Sequence, residues 1–242
     1  MNQLRAPLET LDVPTKSLIR FTPRVLEQSF KAIIRPRQIS LLHSSERAPL
    51  SIIAHNVAVS ASRSVPEAKC VFLDSGTNYS PTLARSICLS TDDANEVLKR
   101  IIVGQVMGLS DVEDMMELLP ELNNISIVIL DSLTATLNLT GAPGSKGRQR
   151  ELFRTLELIR TMVNRYDAHA LITDYSSRNW ISGEPTPIGG NVLSHAVDSV
   201  VRVDRLRSNE SLIRILTERC PASKNAPSVI VRADSKGIRS MK

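Results

Sequence analysis

Four segments of the chain place polar residues where a predicted strand ends. The stretch Ser44–Ser51 (SSERAPLS) follows the apolar run ISLL, and Asp74, Asp131 and Asp174 close the runs KCVFLD, ISIVILD and AHALITD. A loop that leads from a strand into a helix can bind phosphate through backbone N–H groups, a Lys, and a Ser or Thr hydroxyl that holds Mg²⁺. A carboxylate at a neighbouring strand end can accept a hydrogen bond from Mg²⁺-bound water. The chemistry in question is therefore phosphate binding at one edge of a sheet.

The elements that must position these residues alternate between strands and helices. Apolar and β-branched runs predict strands at Gln38–Leu42, Lys69–Asp74, Val97–Val106, Ile125–Asp131, Ala168–Asp174, Ser199–Asp204, Leu212–Leu216 and Ser228–Ala233. Helical spacing predicts helices at Val25–Ile34, Leu50–Ser62, Thr82–Leu89, Asp111–Leu119 and Arg150–Tyr166. Two segments rich in Gly, Pro and Ser, Gly141–Gly147 and Ser176–Asn191, are predicted to be loops.

This order of elements predicts an α/β fold. Its central sheet should be mainly parallel and flanked by helices, and the consecutive late strands should add antiparallel edge strands at the C-terminal end. Ligands of such sheets bind at the carboxyl ends of the strands. We therefore expect the segments after Leu42, Asp74, Asp131 and Asp174 to lie close together.

Length and composition favour one folded domain. The 242 residues suffice for a single α/β core, which we expect over residues 25–242 after a loosely ordered lead-in over residues 1–24. No apolar run approaches the roughly 20 residues of a membrane helix, and the first thirty residues lack the apolar segment of a secretory signal. A cytoplasmic protein without a membrane partner is predicted. The three Cys and four His are scattered, so we expect no metal site.

Positive charge is concentrated near the C-terminal end. The net charge of the chain is +5, and residues 200–242 carry ten Lys or Arg against four Asp or Glu. A basic face can contact nucleic acid, an acidic partner or only solvent. Charge alone leaves these three interpretations open.

Several motifs occur in the order typical of one family. VFLDSGTNYSP is followed by ISIVILDSLTATLN, then by GRQRELFRTLELIR, PIGGNVLSHAVDSVVRV and VIVRADSKGIR. In this order they resemble segments of the RecA/RadA recombinase superfamily, in its archaeal and eukaryotic branch. The resemblance covers about residues 25–240 and implies a RecA-like core in which Asp131 ends the Walker B strand.

The resemblance also sets the register of the loop Ser44–Ser51. Where the family has Gly-x-x-x-x-Gly-Lys-Thr, Ser44 and Pro49 stand at the two Gly positions. Leu50 stands at the Lys position, and Ser51 is the conservative replacement of the Thr. Pro49 has no N–H to donate, and Leu50 carries no charge. The resemblance therefore implies a RadA-like paralogue with a degenerate Walker A motif and no nucleotide cofactor.

Other positions that handle ATP in the family also differ. Gly76 stands where the family has the Glu that activates water, and Tyr175 stands where it has a Gln that senses the γ-phosphate. Arg219 falls at the Asp that caps the ATP of the neighbouring subunit. Asp131 remains, and we expect it to bond Ser51 or nearby backbone. An inactive ATPase fold is implied, without catalytic residues.

Two segments correspond to the DNA-binding loops of the family. Residues 139–150 carry Lys146, Arg148 and Arg150, and residues 176–190 carry Arg178 and Trp180. Basic side chains on Gly-rich backbone can follow phosphates, and an indole can stack on a base. The alternative is that Trp180 packs on the domain or on a partner subunit.

Three functions follow from these observations. The first is a non-catalytic paralogue that assists homologous recombination and DNA repair by pairing with a RadA-type recombinase or another paralogue, with single-stranded DNA as a further partner. The second is a KaiC-like regulatory or scaffold protein of signalling or motility that binds no DNA. The third is a true ATPase in which Arg47 replaces the missing Lys.

Overall fold

A computed structural model describes residues 18–64, 67–179, 183–206, 211–222 and 228–241. Its strands are β1 (Ile39–Ser44), β2 (Lys69–Asp74), β3 (Ile101–Gln105), β4 (Ile125–Asp131), β5 (His169–Arg178), β6 (Pro185–Pro187), β7 (Ser199–Arg205), β8 (Leu212–Arg219), β9 (Ser228–Asp234) and β10 (Gly237–Arg239). Its α-helices are α1 (Arg24–Phe30), α2 (Arg47–Ser64), α3 (Pro81–Ile87), α4 (Thr91–Leu98), α5 (Leu109–Leu118), α6 (Leu133–Asn138), α7 (Lys146–Tyr166) and α8 (Gly190–Ala196).

One sheet organises the molecule. Its strands lie in the order β10-β9-β8-β7-β1-β5-β4-β2-β3. The strands from β7 to β3 in this order are parallel, and β8, β9 and β10 continue the sheet in antiparallel pairing. This arrangement confirms the predicted α/β fold with a mainly parallel sheet and antiparallel C-terminal edge strands.

Each face of the parallel strands is covered by its own group of helices. On one face, α1 to α4 pack on a core that includes Phe30, Phe72 and Leu171. On the other face, α5 to α8 pack on a core that includes Leu156 and Ile172. The strands can therefore be apolar on both faces, as their near-continuous aliphatic runs predict. No helix in the described ranges is long and apolar enough to cross a membrane.

The folded core begins before residue 25. Ile19 and Phe21 are buried among the core residues, and the Phe21 N–H donates to the Glu27 carboxylate at 2.6 Å. The Thr22 N–H donates to the Ser60 hydroxyl of α2 at 3.0 Å. The expected boundary at residue 25 is therefore too late for residues 18–24, whereas residues 1–17 of the expected lead-in lie outside the described residues.

Two local predictions differ from the structure. The segment Val97–Val106, predicted as one strand, is divided between the end of α4 and β3. The segment Ser176–Asn191, predicted as a loop, contains the end of β5, which pairs with β6, and the start of α8. Ser90 caps α4 through a hydrogen bond from the Asp93 N–H, so the helix start was encoded locally.

Candidate functional site

The carboxyl ends of the central strands meet, as the sequence predicts. Asp74 at the end of β2 lies opposite Asp131 at the end of β4. On the next pair of strands, His43 and Ser44 of β1 lie opposite Asp174 and Tyr175 of β5. These strand ends therefore form one polar edge.

Asp74 organises the segment that follows β2. Its Oδ1 accepts the N–H groups of Gly76 and Asn78 at 3.2 and 2.7 Å. Its Oδ2 accepts the Tyr79 N–H at 3.2 Å and the Gln105 side-chain amide at 2.9 Å. With four donors on two oxygens, Asp74 is a structural acid that shapes this segment.

The segment at the phosphate-loop position is largely helical. α2 already begins at Arg47, which leaves only two residues between it and β1. Pro49 is therefore in the first turn of the helix, where its missing N–H costs no intrahelical hydrogen bond. Leu50 is fully buried and packs in the apolar core. The side chain at the Lys position thus faces the protein interior.

A hydrogen bond and an ion pair hold the start of α2 to its neighbours. The Arg47 guanidinium donates from Nη2 to the Gly76 carbonyl at 2.5 Å. Glu46 forms an ion pair with Arg205 of β7 at 2.6 Å. Arg47 therefore bridges the phosphate-loop position and the position of the missing Glu, a contact that its place in the sequence did not predict.

Asp131 is buried, and its two carboxylate oxygens differ in their hydrogen bonds. Its Oδ1 accepts the Thr173 hydroxyl at 2.7 Å, whereas its Oδ2 has no hydrogen-bond partner in the described chain. Burial raises the pKa of Asp131, and the Thr173 hydroxyl opposes this shift. The hydroxyl of Ser51 lies 3.3 Å from the Asn78 carbonyl, and a hydrogen bond from this hydroxyl also lowers the pKa of Asp131.

Asp174 connects this polar edge to the segment before α8. It accepts hydrogen bonds from the Thr134 hydroxyl and, at 2.9 Å, from the Gly189 N–H. Burial raises the pKa of Asp174 to about 6, and these hydrogen bonds oppose the shift. Because the folded-state pKa exceeds the ordinary value, the folded protein holds more protons than the unfolded chain between about pH 4 and pH 6.

Stability should therefore fall as pH rises through this window. Relative to the wild type, Asp174→Asn should gain up to about 3 kcal/mol in free energy of unfolding between pH 4 and pH 7, because the amide does not ionise. Urea unfolding at both pH values measures the difference, and Glu157→Gln on the exposed face of α7 is the control. If the free energies of unfolding of Asp174→Asn and wild type differed by the same amount at both pH values, the raised pKa of Asp174 would be contradicted.

Arg148, at the start of α7, lines a cavity. Arg148 is only 8% exposed, and its guanidinium has no hydrogen-bond or ion-pair partner among the described residues. It lines a cavity of about 470 Å³ between the segment 137–152 and the segment 188–192. None of its nitrogens is among the fully buried polar atoms without a partner, so the guanidinium still reaches solvent through the cavity, and its charge favours an anion there.

The other DNA-binding candidates among the described residues are exposed basic side chains. Lys146 and Arg150 are exposed on the first turns of α7, and Arg178 is exposed at the end of β5. Trp180 lies outside the described residues. Arg219 donates to the carbonyls of Ser194 and Val197, both at 2.7 Å, and so binds the end of α8 in its own chain.

The α/β fold with a mainly parallel sheet and antiparallel C-terminal strands is the fold of the RecA/RadA recombinase superfamily. Residues 17–239 match the Rad51 family model, and the chain belongs to this family. Among solved structures, it is similar to the crystal structure of the RadB recombinase, with a TM-score of 0.73 and 16% identity over 86% of this chain and 93% of that one.

Two curated relatives are 22% and 24% identical to this chain over the aligned residues. One is the DNA repair protein RAD51 of Mycosarcoma maydis, 22% identical over 201 residues, which cover 75% of this chain and 58% of the relative. Another is the DNA repair and recombination protein RadB of Thermoplasma volcanium, 24% identical over 174 residues, or 70% of each chain.

Proposed function

We propose that this protein is a non-catalytic member of the Rad51 family that assists homologous recombination and DNA repair. It associates with an active recombinase or another paralogue and binds single-stranded DNA. One observation carries the proposal: the phosphate-loop position is helical and buries Leu50 in the core. The names of the relatives support a role in recombination.

The residues at the strand ends do not fit a nucleoside triphosphate. The free Oδ2 of Asp131 could accept from a hydrated cation, so the metal side of such a site is partly present. The groups that would bind the phosphates are absent, because Leu50 points into the core and Pro49 has no N–H to donate. A triphosphate would therefore meet neither a lysine nor a ring of backbone donors there.

Hydrolysis would also need a base that positions water. Gly76 offers no side chain, and its carbonyl accepts from Arg47. Arg47 itself is committed to this contact rather than to a phosphate, which argues against its use as a substitute for the Lys. These points support an ATPase fold that is not an enzyme.

Single-stranded DNA binding is supported by the cations near the start of α7. Arg148 lacks a partner within the described ranges, and Lys146 and Arg150 are exposed on the same two turns. The positive end of the helix dipole also lies there. A strand of DNA would supply the anions that these groups lack.

Protein association is supported by the open edge of the sheet. Among the described strands, β3 pairs only with β2, so its outer backbone groups are available to a strand from another chain. Val103 is 38% exposed on this strand, and Met107 just after it is 65% exposed. An apolar edge of this kind fits a partner strand.

Val103→Asp should weaken capture of the partner about tenfold, that is by about 1.4 kcal/mol, because it places a charge at the docking edge. Affinity capture from native lysate with quantitative mass spectrometry measures the effect. Leu118→Asp, on α5 and 49% exposed, is a matched control. Equal capture by both variants would exclude β3 as the docking edge.

The same capture experiment tests the proposed function. We expect the wild type to retain a RadA-type recombinase or another paralogue. Capture of proteins unrelated to repair, together with a failure to bind DNA, would instead support the KaiC-like regulatory or scaffold role.

A further inference from the structure

We infer that the face of β8, β9 and β10 that points away from α1 to α4, the C-terminal face, binds an extended acidic segment of a partner protein. This surface lies at the opposite end of the sheet from β3, so it is separate from the partner edge in the proposed function. Part of the positive charge of residues 200–242 lies on it, and the site at the strand ends does not use that charge.

Helices cover the antiparallel strands on one face only. Ile213, Val231 and Ile238 are buried in the core beneath α1 to α4. Among the described residues, the core beneath α5 to α8 includes none from β8, β9 or β10. Because successive side chains of a strand point to opposite faces, the residues between the buried ones lie on the C-terminal face.

The C-terminal face combines arginine and apolar side chains. Strand pairing brings Leu212, Arg232 and Arg239 side by side across β8, β9 and β10. In the next row, Arg214 of β8 lies opposite Ile230 of β9, whose side chain is 37% exposed. A partner can therefore gain ion pairs and apolar contacts on the same surface.

Two of these three arginines have no acidic partner. Arg239 is paired with Asp234 on its own side of the sheet. Arg214 and Arg232 are exposed, and neither forms an ion pair or a side-chain hydrogen bond within the described ranges. Asp204 lies opposite Arg214 on β7 but is bonded at 3.0 Å by an arginine of its own strand. The face therefore carries free positive charge that an acidic partner complements.

A groove at one end of the C-terminal face gives such a segment a place to bind. Its volume is about 520 Å³, and it is lined by Leu212, Arg232, Arg239, Ser240 and Met241. Met241 is 54% exposed, so the groove offers an apolar contact beside the two arginines.

The spacing of the free cations suits an extended chain. Arg214 and Arg232 are diagonal neighbours on adjacent antiparallel strands, a geometry that separates Cα atoms by roughly 7–8 Å. Two acidic residues at alternate positions of an extended segment are about 7 Å apart. One segment can therefore pair with both arginines.

Duplex DNA is the other common ligand of a basic surface, and two features disfavour it. Glu184 and Glu218 flank Arg202 beside this face, where they would repel phosphates. Exposed Met and Ile side chains gain little from phosphates, whereas Arg and Met are enriched at protein–protein interfaces. A second copy of the chain is disfavoured as well, because a two-fold contact would bring the same arginines together.

Peptides selected from a random phage-displayed library on the immobilised full chain test this surface. We expect the recovered peptides to combine acidic and apolar residues. In fluorescence anisotropy, Arg214→Glu/Arg232→Glu should bind them at least about tenfold more weakly than wild type, because two attractions become repulsions. Lys99→Glu/Arg165→Glu makes the same change of charge on exposed residues elsewhere and should bind as wild type.

Arg214→Lys/Arg232→Lys separates charge from folding. It keeps both positive charges and should retain most of the affinity, and circular dichroism checks that all variants are folded. Equal weakening by the two Glu variants, or no weakening by either, would overturn the docking surface. So would a selection that recovers no peptides, or only peptides without acidic residues.

A short DNA duplex titrated under the same conditions tests the alternative ligand. If the duplex bound wild type, displaced the selected peptides and lost its affinity in Arg214→Glu/Arg232→Glu but not in Lys99→Glu/Arg165→Glu, nucleic acid would be the ligand and the acidic segment would be overturned. None of these outcomes involves β3 or Arg148, so the proposed function is tested separately.

Discussion

Leu50→Lys is expected to lower the free energy of unfolding by about 3–5 kcal/mol without creating a nucleotide site. The substitution restores the residue type that a phosphate loop needs, but residue 50 is fully buried among apolar side chains. A lysine there must either stay neutral or carry an unpaired charge into the core. Urea unfolding measures the loss, and titration with Mg-ATP measures binding.

Leu50→Met is the matched control. It conserves volume and polarity, so its cost should stay below about 1.5 kcal/mol. A Leu50→Lys protein that is as stable as wild type and gains ATP binding would contradict the buried position of residue 50. It would mean that the start of α2 can open into a phosphate loop.

Arg148→Gln is expected to weaken binding of oligo(dT) at least about tenfold, because it removes the buried cation that a phosphate would neutralise. The slope of log K against log salt should fall by about 0.7, the value for one phosphate contact on a single strand. Fluorescence anisotropy at several salt concentrations measures both quantities.

Arg165→Gln is the control for this variant. Arg165 lies near the other end of α7, about 25 Å from Arg148 along the helix axis, and stacks on the Tyr166 ring at 5.6 Å. Its loss should change neither affinity nor salt slope. If both variants weakened binding equally, general positive charge rather than the cavity would account for the affinity.

The sequence predicted the sheet well where burial alone determines a strand. Lys69–Asp74 and Ile125–Asp131 match β2 and β4 at both ends, since each is buried on both faces and apolar almost throughout. The hairpin of β5 with β6 was not predicted because Pro185 and Pro187 are typical of loops. Proline is nevertheless tolerated in an edge strand.

The sequence predicted where the candidate site lies, but it did not predict that the phosphate-loop position is helical. The predicted strand ends place Ser44, Asp74, Asp131 and Asp174 at one edge of the sheet, and the structure has them there. The start of α2 is held by a contact of Arg47 with Gly76 and one of Glu46 with Arg205, and both partners are distant in sequence. A proline in a first helical turn was the one local signal for this early start.

Sequence patterns also could not predict the cavity at Arg148, because it forms between segments that are distant in sequence. Arg148 was predicted, with Lys146 and Arg150, as a DNA-binding candidate on a Gly-rich segment, and no sequence pattern indicates that it is buried. Its burial requires residues 188–192 to pack across the start of α7, and that packing depends on the hydrogen bond between Gly189 and Asp174.

Isothermal titration of the purified protein with Mg-ATP and with Mg-ADP measures whether the phosphate-loop position can bind a nucleotide. We expect no binding heat at millimolar nucleotide for the wild type or for Asp131→Ala, because Leu50 and Pro49 leave no phosphate site. Binding of either nucleotide at micromolar concentration, lost in Asp131→Ala, would contradict this expectation.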